Sequence, residues 1–274
     1  MGGSPPEADV MAAGEFFGEV GSIAGRWIKK TLRRPPFLFF SLVQPIVWFV
    51  LFTAAFAKIA DIPGFASTTG TTSYLTFFSG AVIIQTVLAS AMQSGVGFVT
   101  DMESGFLDKL KVAPIHRSSI LLGKLLSDGA RILLQTTVIL ILAFALGVGI
   151  ATGLLGLVLL FGIALGFGIA WSGISTFIAL TTRNSESTLM ISLLTTFPLL
   201  FLSTAVMPKA LLQDSVRSIA VYNPITYIAD GLHGLIITPA LDWSVVGFAF
   251  LIIAAVGFVT LSATTTMFRR TVSA

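Results

Sequence analysis

The chain of 274 residues has no cysteine, two histidines and few charged residues, and each shortage excludes a class of protein. Without cysteine it forms no disulfide, uses no catalytic thiol and holds no iron–sulfur cluster. The histidines, His116 and His233, lie far apart in the sequence and offer little for a metal site. Charged residues make up 11% of the chain and hydrophobic residues 55%. Soluble domains carry about a quarter of charged residues, so the composition excludes a soluble domain of this size.

Long uncharged runs indicate a membrane protein, because a helix needs about 20 residues to cross the hydrocarbon core. Five runs reach that length: Phe37–Ala57, Ile62–Thr100, Ile132–Thr182, Ser187–Pro208 and Trp243–Phe268. The third is too long for one crossing and contains the glycine-rich turn GVGIATGLLG, while the second begins with the loop-forming segment STTGTTS. These patterns predict an all-α membrane protein with six transmembrane helices, over about residues 37–58, 74–99, 124–147, 155–182, 187–207 and 243–268.

Lysine and arginine are divided unevenly between the two sides of this six-span arrangement. The first side has 13 of the 16 basic residues: Arg26, Lys29, Lys30, Arg33, Arg34, Lys109, Lys111, Arg117, Lys124, Arg131, Arg183, Arg269 and Arg270. The second side has Lys58, Lys209 and Arg217. Because cytoplasmic loops carry the basic excess, we predict a multi-pass protein of the plasma or inner cell membrane with both termini in the cytoplasm. The net charge of +3 then reflects topology and requires no nucleic-acid partner.

Residues 1–36 precede the first span and divide into two parts, whereas residues 37–274 form the transmembrane domain. Met1–Val10 is polar and contains proline, which predicts a disordered tail. From Glu15 to Arg34 apolar residues recur at helical spacing opposite a basic face, which predicts an amphipathic helix in the cytoplasmic interface. Its main role is either surface attachment or contact with a partner. Its marker residues are Phe16, Arg26, Trp27, Lys29 and Lys30.

The predicted spans carry glutamine and hydroxyl groups, and their central parts contain no ionisable side chain. Ion-coupled carriers usually need such a side chain or broken helices, so this argues against a carrier. Lys124 and Asp128, at the start of span three, have the spacing of an i,i+4 ion pair. Candidate path residues are Gln44, Gln85 and Gln93. The last two belong to a stripe of small residues, for which close helix packing is the alternative interpretation.

No catalytic constellation is present in the sequence. The loop GxxxxGK[ST] that binds the phosphates of ATP is also absent, because Ser118 stands at the first glycine and Leu125 follows Lys124. We therefore expect this chain not to be an enzyme, and to hold no metal or other cofactor of its own.

The segment between spans two and three, TDMESGFLDKLKVAPIHRSSILLGKLL, predicts a short cytoplasmic helix whose apolar residues have no membrane to enter. It is either a docking surface or a solvated connector. Its pattern of an acidic residue, Glu, Gly and Leu, then Pro and a basic residue, then Leu-Gly-Lys resembles the ABC-2-type transporter permeases, especially the daunorubicin-resistance-like drug and lipid exporters. The matching residues are Asp101, Glu103, Gly105, Leu107, Leu110, Pro114, Arg117, Leu122, Gly123 and Lys124, whereas Met102 stands where Arg is frequent.

The external segment Pro208–Asp242 also resembles this family. Members of the family have two re-entrant helices here, between spans five and six. The residues similar to the family's C-terminal signature are Asn223, Pro224, Tyr227 and Asp230, with His233 at a position where a basic residue is usual. Asp230 and His233 are three residues apart on one predicted helix. Such a pair fits a metal or catalytic role, and a local hydrogen bond is the alternative interpretation.

The resemblance covers Arg26 to Arg270 and implies the permease subunit of an ATP-driven ABC exporter. It implies a homodimer or a similar heterodimer, separate ATPase subunits that bind ATP and Mg²⁺, and a coupling segment, Asp101–Arg117, that docks on each ATPase. The 23 phenylalanines, against three tyrosines and four tryptophans, favour a hydrophobic or amphipathic substrate, a drug-like molecule or a lipid. The alternatives are an ion-coupled carrier or channel, an exporter of a polysaccharide or sodium, and a scaffold that transports nothing.

Overall fold

The computed structural model describes residues 6–33, 35–106 and 116–273 of the chain. Two short 3₁₀ turns lie at Ala57–Asp61 and Lys209–Leu211. These described residues contain ten α-helices: α1 (Pro6–Leu32), α2 (Pro35–Phe56), α3 (Phe65–Thr69), α4 (Tyr74–Glu103), α5 (Arg117–Ala145), α6 (Gly153–Thr182), α7 (Ser185–Phe201), α8 (Asp214–Ala220), α9 (Pro224–Ile237) and α10 (Trp243–Ser273).

Helices α2, α4, α5, α6 and α10 are long and apolar enough to cross a membrane. The chain is therefore an integral membrane protein, as its composition predicts. Helix α7 is apolar but has only 17 residues, and it ends at Phe201 rather than near residue 207. Its last turn contains Pro198, and the following Leu202–Pro208 forms turns. The predicted fifth crossing is thus shorter than a full span.

Helix α1 begins earlier than the sequence indicates. Residues Pro6–Val10, predicted to be part of a disordered tail, form its first turns, so that prediction is wrong for them. Proline suits the first turn of a helix because that position needs no backbone N–H donor, and the Glu, Ala and Met residues that follow have good helix propensity. The predicted end of the amphipathic helix near Arg34 is confirmed, because α1 ends at Leu32 and α2 begins at Pro35.

Helix α4 lies at the centre of the bundle and packs against α2, α5, α6, α7 and α9. Its most apolar window is 83% buried, compared with 11% for α2 and 17% for α10. Glycine allows α4 and α6 to approach closely, because a Cβ added to Gly95 would lie 2.3 Å from the backbone oxygen of Ser175. The central helix therefore forms the core, and α2 and α10 keep broad apolar faces exposed.

The two ends of the bundle are built from different segments. One end, called the basic end below, brings together α1, the end of α4, the start of α5, the α6–α7 junction and the end of α10, where the rings of Phe98 and Phe268 lie 6.0 Å apart. At the opposite end the turn between α5 and α6 contacts α9, since Ala151 N donates to Ile236 O at 3.1 Å and Thr152 Oγ1 donates to Leu235 O at 2.8 Å.

Candidate functional site

One link between α1 and the bundle is made at Asp101, near the end of α4. Its buried carboxylate accepts a hydrogen bond from Trp27 Nε1 at 2.5 Å and one from Lys30 Nζ at 2.6 Å. Trp27 is buried, whereas the Lys30 side chain is 27% exposed. Hydrogen bonds to a charged group are stronger than neutral ones. Asp101 therefore fixes the predicted amphipathic helix to the start of the predicted coupling segment.

A second contact joins α1 to the beginning of α5. The Glu19 carboxylate accepts hydrogen bonds from Ser119 Oγ at 2.7 Å and from His116 N at 3.1 Å. The hydrogen bond from Ser119 is the main cause that lowers the pKa of Glu19 below its ordinary value. The two helices are also in close contact, because a Cβ on Gly123 would lie 2.7 Å from Ile23 Cγ2. The Leu-Gly-Lys motif thus supplies the glycine that α1 packs against.

The other marker residues of α1 lie on its exposed side or near the coupling segment. Phe16 contacts the ring of His116 edge-on, with centroids 5.8 Å apart, and the Arg26 guanidinium lies over the ring of Phe106. Arg26 and Lys29 are both exposed. Helix α1 therefore has the apolar and basic faces that its sequence indicates.

Glu103, at the end of α4, contacts the first residue of α7. Its carboxylate oxygens accept hydrogen bonds from Ser185 Oγ at 3.1 Å and from Ser185 N at 3.4 Å. A negative charge at a helix N-terminus is favourable because the first N–H groups of the helix are unpaired. Sequence reasoning assigned Glu103 to the coupling segment but missed its contact with α7, since residues 82 positions apart give no pattern.

The remaining predicted coupling residues are only partly described. Gly105 has a φ of +66°, in the left-handed region that favours glycine. It lies in the turn that follows the end of α4. Leu107, Leu110 and Pro114 lie outside the described residues. Arg117 is the first residue of α5.

A buried polar cluster connects α4 and α5 within the bundle. Asp128 accepts hydrogen bonds from Lys124 Nζ at 2.6 Å, from Arg131 Nη2 at 2.9 Å and from Ser94 Oγ. Arg131 also donates to the Oγ and the backbone oxygen of Ser90, at 3.0 and 2.8 Å. The i,i+4 pair expected from the sequence is formed, but the participation of Arg131 and both serines was missed. The i,i+3 spacing of Asp128 and Arg131 was the available signal.

A cavity of about 360 Å³ lies at the basic end between α1, α4 and α5, with Leu189 of α7 on a further side. It is called the basic-end cavity below. The charged side chains around Asp101 and around Asp128 face it, and so does Gln93. Its lining is Trp27, Lys30, Thr31, Gln93, Val96, Gly97, Thr100, Asp101, Lys124, Ser127, Asp128, Arg131 and Leu189.

The three candidate path residues occupy different environments. Gln93 lines the basic-end cavity, and its Oε1 has no hydrogen-bond partner among the described residues. Gln85 lies two turns away on α4 and is buried in the core, where its Nε2 also has no partner within the described ranges. Gln44 is exposed on α2. The structure therefore does not join the three side chains into one continuous surface.

At the opposite end, Asn223 caps the N-terminus of α9 and connects it to α7. Asn223 Oδ1 accepts from Ile225 N at 3.0 Å, while its Nδ2 donates to Leu199 O at 2.6 Å and to Leu202 O at 2.9 Å. Pro224 is at the first position of the helix, where proline is well tolerated. Tyr227 Oη donates to Val221 O at 2.6 Å. These residues fix the short helices between α7 and α10.

Asp230 and His233 contact other elements. Asp230 accepts a hydrogen bond from Thr204 Oγ1 at 2.9 Å. The His233 ring stacks on Phe77, with centroids 4.3 Å apart, and has room because residue 80 is glycine: a Cβ there would lie 2.8 Å from the ring. Within the described ranges no three His, Asp or Glu side chains are placed to hold a metal ion.

The architecture is that of a multi-span helical membrane protein, and comparison with known proteins gives its family. The family model described as ABC-2 type transporter matches residues 19–237. The chain belongs to the ABC-2 type transporter family, in which it is a membrane permease. Permeases of this family work with partner ATPase subunits.

Three relatives illustrate the range of similarity. A protein named as a transport permease, ycf38, from Pyropia yezoensis is 30% identical over 222 residues, which cover 79% of this chain and 73% of the relative. Its counterpart from Porphyra purpurea is 29% identical over 220 residues, 80% of this chain and 74% of the relative. The daunorubicin resistance ABC transporter permease protein DrrB1 of Streptomyces coeruleorubidus is 26% identical over 206 residues, 74% of this chain and 70% of the relative.

Proposed function

We propose that this chain is the permease subunit of an ATP-driven exporter that moves a hydrophobic or amphipathic substrate, a drug-like molecule or a lipid. The observation that carries the proposal is the set of hydrogen bonds around Asp101 and Glu103, which join the predicted coupling segment to two other helices. The name of the daunorubicin resistance relative supports a drug-like substrate. So does the predominance of phenylalanine among the aromatic residues.

Movement of the coupling segment would be transmitted along two routes. Asp101 connects the segment to α1 through Trp27 and Lys30, and Glu103 connects it to α7 through Ser185. Closure of an ATPase dimer beneath the membrane would displace the segment, and the attached helices would move with it. Inward- and outward-facing states would then exchange population because ATP favours one of them.

The proposed assembly contains two permease copies and two ATPase subunits, with ATP and Mg²⁺ bound on the ATPases. The broad exposed faces of α2 and α10 support it, because apolar helix faces need lipid or another protein copy. The substrate path would lie between the two copies. Both termini would be cytoplasmic, α7 would be the fifth crossing, and α8 and α9 would re-enter the membrane from the external side.

An ion-coupled carrier is the less favoured function. Such carriers need an intramembrane group that can bind and release an ion. The buried carboxylate of Asp128 already accepts hydrogen bonds from Lys124, Arg131 and Ser94, so a coupling cation would have to displace two fixed cations.

Reconstitution of the chain with its ATPase in vesicles tests the proposed function. We expect ATP-dependent movement of an amphipathic dye or anthracycline, and ATPase activity that rises when amphiphiles are added. Transport that continues without the ATPase would contradict the exporter proposal. Stimulation by sodium or a glycan alone, with every amphiphile inactive, would contradict only the substrate class.

A further inference from the structure

The charged groups that face the basic-end cavity are three cations and two carboxylates. They are Lys30, Asp101, Lys124, Asp128 and Arg131. The lining therefore has a net positive charge when all five groups are ionised. Arg131 is 9% exposed and Lys124 is 5% exposed, so these cations are held inside the protein and not on its surface.

Both carboxylates already accept hydrogen bonds from neighbouring side chains. Asp101 accepts from Trp27 through one oxygen and from Lys30 through the other. Each oxygen of Asp128 accepts two hydrogen bonds, which come from Lys124, Arg131 and Ser94. A cationic ligand would have to compete with these donors for the same oxygens.

The cations, in contrast, keep free donors. The bonds of Arg131 to described residues use Nε and Nη2, which leaves the two N–H groups of Nη1 without a partner in that part of the chain. Among the described residues, Lys30 Nζ donates a hydrogen bond only to Asp101. An ammonium group has three donors, so two are not used within that part of the chain. The cavity thus offers donors from fixed cations, which suits a ligand rich in negatively charged acceptor oxygens.

Apolar groups complete the lining. Trp27, Val96 and Leu189 contribute apolar side chains to the lining, whereas Gly97 has no side chain to fill the space. The volume of about 360 Å³ is near the lower end of the range of about 300–1,000 Å³ typical of small-molecule sites.

We propose that the basic-end cavity binds the phosphate of an anionic amphiphile, with Arg131 and Lys30 donating to the phosphate oxygens. Trp27, Val96 and Leu189 contact the part of the amphiphile nearest its head. The negative headgroup complements the net positive lining, and the apolar side favours an amphiphile over a free anion. This site rests on the geometry of the cavity, so its test does not depend on whether transport is driven by ATP.

Gly97 provides the sharpest perturbation, because a Cβ at this position has no atom within 4 Å. Gly97→Leu therefore fills the cavity without a clash at its first side-chain atom. Gly247→Leu is the matched control, since Gly247 in α10 is equally open and lies outside the cavity. A second pair alters charge: Lys30→Gln removes a donor from the cavity, and Lys29→Gln removes the same charge from the neighbouring exposed residue.

The measurement is binding of phosphatidylglycerol, phosphatidylcholine and inorganic phosphate to the full chain in a neutral detergent, by native mass spectrometry and thermal shift. We expect phosphatidylglycerol to bind most tightly. K30Q should weaken its binding about tenfold because a charge-assisted contact is lost, and G97L should weaken it about tenfold because the leucine side chain occupies the cavity. G247L and K29Q should stay within about twofold of the wild type.

Three outcomes would overturn the proposal. The first is phosphatidylglycerol binding to both G97L and K30Q with wild-type affinity. The second is equal binding of phosphatidylcholine, which shows that the negative headgroup is not recognised. The third is inorganic phosphate alone giving the full effect, which replaces the amphiphile with a free anion. If G97L does not fold, the comparison of K30Q with K29Q decides.

Discussion

Replacing Asp128 by asparagine is expected to destabilise the protein more than any other single charge removal at the basic end. In the wild type its carboxylate lies between Lys124 and Arg131, whose side chains are 5% and 9% exposed. Asp128→Asn leaves both cations buried without a counter-charge. Breaking a buried ion pair from one side costs about 3–5 kcal/mol, which corresponds to a fall in Tm on the order of 10 °C for a chain of this size.

Asp101→Asn is the matched comparison, because this change also removes a buried carboxylate. Its cationic partner, Lys30, is 27% exposed and turns to water when the charge is lost, so we expect a smaller cost of about 1–3 kcal/mol. Thermal unfolding in detergent, followed by tryptophan fluorescence, measures both variants. Adding Lys124→Met to Asp128→Asn should recover part of the loss, since neighbouring changes are not additive. Equal stability of D128N and D101N would refute this reasoning.

Other predictions concern coupling, helix packing and topology. In the reconstituted complex with its ATPase, Glu103→Ala should abolish export while membrane insertion stays normal. The control Glu186→Ala, at the exposed start of α7, should export normally. Normal export by E103A would contradict the coupling role. Gly123→Ala should displace α1 and lower the free energy of unfolding by about 1–3 kcal/mol, measured by thermal unfolding. Gly21→Ala is the control and should leave stability unchanged, because the added methyl group meets open space. Equal stability of the two variants would argue against close packing of α1 on Gly123. A reporter fused after Ala274 should report the cytoplasm and one inserted in α8 the outside, because basic residues mark the cytoplasmic side; an external C-terminus would contradict the six-span topology.

The link between Glu103 and α7 gives the coupling proposal a specific physical content. The family resemblance by itself implies only that Glu103 belongs to the segment that docks on the ATPase. In the structure its carboxylate lies at the N-terminus of α7, so the loss of export expected in E103A also follows from releasing that helix. Ser185→Ala separates the two explanations, because it weakens the link and keeps the Glu103 charge for the ATPase.

Five of the six predicted spans correspond to long apolar helices of the structure, because burying backbone polar groups in lipid requires continuous apolar helices. The predicted spans at 74–99 and 155–182 correspond to Tyr74–Glu103 and Gly153–Thr182. The ends are less well determined. Helix α7 stops at Phe201 although the apolar run continues, and α1 extends back to Pro6 although the segment is polar. Composition does not determine where a helix ends, since local turns and capping contribute as well.

The sequence by itself determined that this is a helical membrane protein and which family its motifs resemble, because these depend on composition, spacing and local order. The tertiary structure alone decided that Asp101 binds Trp27 and Lys30, that Glu103 meets Ser185 and that Arg131 binds Ser90 beside a cavity. Three of these contacts join residues more than 70 positions apart. Such partners are selected by how the helices pack, and one sequence carries no periodic signal for that packing.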